Sequence, residues 1–214
     1  MGTLMPRSNP ASAPSIHSAL LFCRTTAGWG REGHVRKQRA WNPPPQCNGG
    51  CTNHDRRGEA MKLSVQGIPS EVARRLQAGG DDANGQTPLQ TVAQGQANPC
   101  RHCLQLIAPG DAMRVLSYRP FAGLQPYAET GPIFLHAHDC KHYQADRLPD
   151  WFAYLDPAVI RGYGHNHWIR YETGAIVAGK ELTDRCRQIL ADPEVAYVHI
   201  RSKFNCFQCR VDRG

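Results

Sequence analysis

Ala196-Tyr197-Val198-His199-Ile200-Arg201-Ser202 is the stretch whose reading decides the fold. It alternates with a period of two. Tyr197, His199 and Arg201 share one face and Val198 and Ile200 the other, as in a β-strand with one side in a core. The polar face has two readings. It is either the wall of a pocket for an anionic ligand, anchored by Arg201, or the ordinary outer face of a half-buried strand. The second needs nothing beyond the alternation.

Outward from this strand the pattern stays short and mixed. Cys206–Val211 reads as a strand on the C-terminal side. Leu182–Leu190 reads as a helix, with Leu182, Cys186, Ile189 and Leu190 on its apolar face. Trp168–Tyr171 and Ala175–Ala178 flank Glu172-Thr173-Gly174, which reads as a hairpin turn. Met113–Tyr118 and Ile133–His136 read as strands, Leu89–Val92 as a further one, and Asp150–Tyr154 as a short helix. Near the start of this patterned region, Leu63, Val65 and Ile68 mark a strand. Pro69-Ser70-Glu71 then opens a helix that runs to about Gln77, before Gly79-Gly80. The fold class expected is α+β: one domain over residues 61–214, a small mostly antiparallel sheet and two or three short helices.

Residues 1–60 differ. They hold six prolines, seven glycines and no sustained apolar period, with Pro43-Pro44-Pro45 and Asn48-Gly49-Gly50 as breakers. The expectation is a disordered or mis-annotated N-terminal extension. Met61 would be the start, and Arg56-Arg57-Gly58-Glu59-Ala60 would be a translated ribosome-binding stretch. The alternative is a genuine basic tail.

The net charge of +7 is unevenly placed. Residues 1–60 carry eight Lys/Arg against three Asp/Glu, and residues 61–214 carry seventeen against fifteen. The near-neutral domain lacks the dense basic face that phosphate backbones need, so nucleic acid is an unlikely partner for it. No apolar run is long enough for a membrane span, and Ala19-Leu20-Leu21-Phe22-Cys23 is too short for a secretory core. A cytoplasmic location is expected. In a reducing compartment, close cysteine pairs bind metal or do redox chemistry more often than they form disulfides.

Two Cys-x-x-Cys pairs stand out, Cys100/Cys103 and Cys206/Cys209. Four thiolates would close a tetrahedral structural zinc site, provided the fold brings the pairs together. A nearer second pair, His138 and Cys140, would complete a knuckle with Cys100 and Cys103. Separate buried thiols are the bland alternative, and a redox dithiol a further one. His136/His138 and His165/His167 are His-x-His pairs that could build an open catalytic metal site. Whether the protein is an enzyme is left open. A protein- or nucleic-acid-binding module would instead gather Arg119, Arg161, Arg170, Arg201 and Arg210 on one face.

Several blocks together resemble a known family. They are Pro99-Cys100-Arg101-His102-Cys103-Leu104, Leu116-Ser117-Tyr118-Arg119-Pro120-Phe121, Pro126-Tyr127-Ala128-Glu129, Gly131-Pro132-Ile133-Phe134-Leu135-His136, Ala196 to Ser202, and Cys206 to Arg213. This combination resembles the uncharacterised bacterial domain-of-unknown-function family 1203 over about residues 61–214. The resemblance implies a domain that begins near Met61, and it carries over no activity, cofactor or catalytic residue.

Overall fold

The computed structural model describes residues 61–214. The expectation for residues 1–60 lies outside them. Within 61–214 there are nine strands, two α-helices and two single-turn 3-10 helices, an α+β arrangement dominated by antiparallel sheet.

The strands are β1 (Leu63–Gln66), β2 (Leu89–Val92), β3 (Ala112–Tyr118), β4 (Gly131–His136), β5 (Gln144–Ala145), β6 (Ala158–Gly164), β7 (Ile169–Val177), β8 (Val195–Ser202) and β9 (Phe207–Arg213). Helix α1 is Ser70–Gln77 and α2 is Leu182–Leu190. A 3-10 turn at Asp150–Tyr154 stands where a short helix is expected. The larger sheet has the order β5-β1-β9-β8-β6-β7, and the smaller is β2-β3-β4.

Strand β8 sits inside the larger sheet, paired with β6 on one side and β9 on the other. Val198 and Ile200 enter the main core beside Ile160, Cys209 and Val211. Helix α2 closes that core with Leu182, Cys186, Ile189 and Leu190. A second core lies under α1 and the smaller sheet, built from Ile68, Ala73, Leu76, Leu116, Ile133, Leu135 and Phe207. Phe207 and Cys209 are two residues apart on β9, yet they belong to different cores.

The hairpin expected at Glu172-Thr173-Gly174 is not a turn. These residues lie inside β7, which runs unbroken along β6. The register passes from Ile160 opposite Ala175 to Gly162 opposite Arg170, so β7 carries extra residues as a bulge. Thr173 holds the bulge. Its Oγ1 accepts from the Gly162 amide at 2.7 Å and donates to the Arg170 carbonyl at 2.6 Å. The hydroxyl replaces the ladder bonds that the extra residues interrupt.

Candidate metal centre

The knuckle begins at Pro99. Pro99 bridges Leu106, and Cys100 bridges Phe134 of β4. Inside the loop the Leu104 amide donates to the Cys100 carbonyl and the Cys100 amide to the Gln105 carbonyl, both at 2.9 Å. Leu104 takes a positive φ of 52°, which lets the chain reverse with both cysteines on its inner side. The Arg101 amide donates to the Phe134 carbonyl at 3.0 Å, fixing the knuckle beside β4.

Strand β4 ends at His136, and Cys140 follows in the next turn. Gln77, at the end of α1, clamps that turn. Its Nε2 donates to the carbonyls of His136 (3.1 Å) and His138 (2.7 Å). The result is one cluster of Cys100, Cys103, His136 and Cys140, with one ligand atom from each and all four atoms within 4.8 Å of one another. Such a group could hold a metal ion.

Two of its edges are specific. Cys100 Sγ and Cys140 Sγ are 3.9 Å apart, and Cys103 Sγ and His136 Nδ1 are 3.5 Å apart. Tetrahedral zinc with Zn–S near 2.3 Å and Zn–N near 2.05 Å has S–S edges of about 3.8 Å and S–N edges of about 3.5 Å. A disulfide would need sulfurs at about 2.05 Å, far closer than this. All six cysteines among the described residues are free thiols.

The electrostatics fit the same conclusion. Hydrogen bonds from Cys103 and Cys140 hold the Cys100 thiol far below its ordinary value. The hydrogen bond with Cys100 pushes Cys103 up to about 11, and the same interaction pushes Cys140 up strongly. The hydrogen bond to Cys100 also raises His136. Neighbouring thiolates repel, so three clustered thiols resist ionising together without a cation. A divalent ion removes that conflict.

His102 supports the cluster from outside. Its Nδ1 lies 3.2 Å from Cys140 Sγ and its Nε2 3.0 Å from Ser70 Oγ, at the start of α1. Burial lowers its pKa. With the proton on Nδ1 it donates to the sulfur, and Nε2 accepts from the Ser70 hydroxyl. This is the outer-shell arrangement that orients metal ligands.

Cys206 and Cys209 lie outside this group. Cys206 is half-buried just before β9, in a cleft with Lys203 and Phe204. Cys209 is fully buried in the main core, and burial pushes its thiol up. Cys206 therefore precedes the strand that carries Cys209. Arg101 stands between the two regions. It donates from Nε to the Phe207 carbonyl at 2.6 Å and also to the Pro99 carbonyl. Burial lowers its pKa to about 10, although nearby Cys206, Cys100 and Cys209 oppose the shift. The structure thus brings Cys140 to the Cys100 knuckle, with His136 in the position considered for His138. The His138 ring packs 5.1 Å from that of His136. His165 meets the Pro193 carbonyl and His167 the Tyr197 hydroxyl, so the two His-x-His pairs have different surroundings.

The five arginines considered for a basic face are largely engaged. Arg161 and Arg201 pair with Glu129, Arg170 with Glu172, and Arg210 with Asp212. No helix among the described residues is long and apolar enough to cross a membrane.

The fold and cluster together define an antiparallel α+β domain with a site of three cysteines and one histidine. The family described as Protein of unknown function (DUF1203) matches residues 97–213, more than half of the chain and all four cluster residues, and the chain belongs to this family. No curated protein and no solved structure matches it.

Proposed function

We propose that this is a zinc-stabilised domain in which Cys100, Cys103, His136 and Cys140 close a tetrahedral shell around a structural ion. The observation that carries the reading is the pair of edges at 3.9 and 3.5 Å, which match a tetrahedral set of three sulfurs and one nitrogen. Four protein ligands leave no coordination position for a substrate. The ion then contributes folding free energy by tying the Cys100 knuckle to the end of β4. The buried reduced thiols suit a reducing compartment, and we place the protein in the cytoplasm.

The test is zinc content of the full chain, purified under reducing conditions, for wild type, Cys140→Ser and Cys206→Ser. One zinc per chain in wild type and Cys206→Ser, with loss in Cys140→Ser, supports the shell proposed here. Loss in Cys206→Ser with retention in Cys140→Ser would return the ligand set to Cys100, Cys103, Cys206 and Cys209. Loss of zinc should cost about 4 kcal/mol, a fall in Tm of about 12 °C for a domain of this size.

One observation favours a second reading, a metal-dependent enzyme. A cleft of about 570 Å³ opens onto Cys103, His136 and Cys140, beside Lys141 and His142. Cobalt substitution separates the two. A closed shell gives a tetrahedral thiolate spectrum that azide leaves unchanged, and an open one gives a spectrum that shifts.

A further inference from the structure

On the side of the larger sheet away from α2, β6 and β8 present Arg161, Tyr163, Tyr197, His199 and Arg201. The pairing sets Arg161 opposite His199 and Tyr163 opposite Tyr197. The connection between β3 and β4, residues 119–130, lies over this face and contributes Phe121 and Glu129. Glu129 Oε1 accepts from Arg161 Nη1 at 2.6 Å. Its Oε2 lies 2.9 Å from Arg201 Nη2, but the pair is not aligned as a hydrogen bond, and both atoms lack a hydrogen-bond partner.

The site is built but incompletely satisfied. Arg201 is only 3 % exposed, and of its three guanidinium nitrogens Nη1 alone donates, to the Asn205 carbonyl. His199 is 1 % exposed and its Nδ1 has no partner, while the buried Tyr163 hydroxyl faces Arg161. A buried polar atom left without a partner costs about 1–3 kcal/mol, so Arg201 Nε and His199 Nδ1, close together on one face, need an explanation. Two guanidinium groups also share one carboxylate, and that carboxylate is 32 % exposed on a loop. The floor beside them is aromatic. His199 is ringed by Phe121, Tyr163, Tyr197 and Phe207, with centroids 4.7 to 5.3 Å away.

We propose that this face is a binding site for a small carboxylate attached to an apolar or aromatic body, and that Glu129 and Phe121 of the 119–130 loop occupy it in the ligand-free chain. Glu129 supplies the carboxylate and Phe121 the ring. The arginines hold the ligand carboxylate, which can align with both forks where Glu129 aligns with one. Tyr163, Tyr197 and His199 hold the apolar body, and the loop swings out to admit it. A tethered carboxylate competes at an effective concentration of about 1 mM or more, so native affinity is weak and removal of Glu129 strengthens it.

The experiment is calorimetric titration of the full zinc-loaded chain with benzoate, for wild type, Glu129→Gln and Arg161→Gln. Glu129→Gln should bind about tenfold or more tightly than wild type, and Arg161→Gln should lose binding. Equal affinity in wild type and Glu129→Gln, or retained binding in Arg161→Gln, overturns the proposal. Tighter binding of phenylphosphonate than of benzoate overturns the carboxylate class. If Glu129→Gln fails to fold, NMR of the wild-type chain decides. Millimolar benzoate must shift the His199 ring and Arg161 side-chain resonances, and no shift overturns the site.

Discussion

Gly67 shows how tightly single residues bind the knuckle to the rest. It follows β1, and a Cβ built on it would stand 2.1 Å from the His102 carbonyl oxygen and 2.8 Å from that of Arg101. Backbone bonds lock the same spot, with Ile68 N donating to Arg101 O and Tyr143 N to His102 O. Gly67→Ala should therefore cost about 3 kcal/mol by overpacking against immobile backbone, and should weaken zinc retention as well. Urea unfolding and metal content measure both. His199 sets a different dependence. Burial, helped by Arg201, Arg210 and Arg161, holds its pKa well below the ordinary 6.5. The unfolded chain takes up that proton near 6.5 and the folded chain does not. Stability from this group is intact above pH 6.5 and falls as the pH drops below it, by at most about 1.4 kcal/mol per unit. In His199→Gln the slope between pH 6.5 and 5.5 should flatten relative to wild type, both measured under the same metal conditions, since Cys100, Cys103, His136 and Cys140 are common to both. Of the cluster, Cys100 and Cys103 were legible in the sequence from spacing, and Cys140 only beside His138, as the alternative to Cys206 and Cys209. His136 rather than His138 was not, because the choice depends on how Gln77 clamps the turn after β4.

Among the elements, those with unbroken periodicity were legible. Helix α2 and strands β2, β3, β4, β8 and β9 lie where apolar spacing puts them. Strand β6 gave no such signal, although it is central to the larger sheet. Its sequence Ala-Val-Ile-Arg-Gly-Tyr-Gly carries a charge and two glycines after Pro157, which interrupt the apolar alternation. The reason for Gly162 is local. A Cβ there would lie 2.9 Å from both Ile189 Cγ2 and Thr173 Oγ1, so the bulge of β7 and the packing of α2 both need its absence. The bulge was illegible for a related reason: Glu-Thr-Gly has hairpin composition, and only the Thr173 hydroxyl makes it part of a strand. Thr173→Val keeps the shape and removes that hydroxyl, leaving the Gly162 amide unsatisfied. It should lower stability by about 2 kcal/mol in chemical denaturation, without loss of zinc.

For the whole molecule, the family match begins at residue 97, but the fold begins earlier. Strand β1 lies between β5 and β9 in the larger sheet, and α1 brings Gln77 and Ser70 to the cluster of three cysteines and one histidine. A fragment of residues 97–213 would bare the edge of β9 and open the second core, where Ile68, Ala73 and Leu76 sit. It should lack a cooperative thermal transition, whereas a 61–214 fragment should show one. A sharp transition in the shorter piece would mean that β1 and α1 are accessory.

The pairing of β1 with β9 carries a kinetic consequence. Leu63 lies opposite Arg213, so this contact closes nearly the whole described chain, whereas the cluster from Cys100 to Cys140 closes a far shorter loop. Long closures come late because their entropy is lost before the contact returns anything. Zinc present from the start of refolding would organise the smaller sheet first and leave the β1–β9 seam as the last step, so substitutions in β1 should speed unfolding while barely slowing folding.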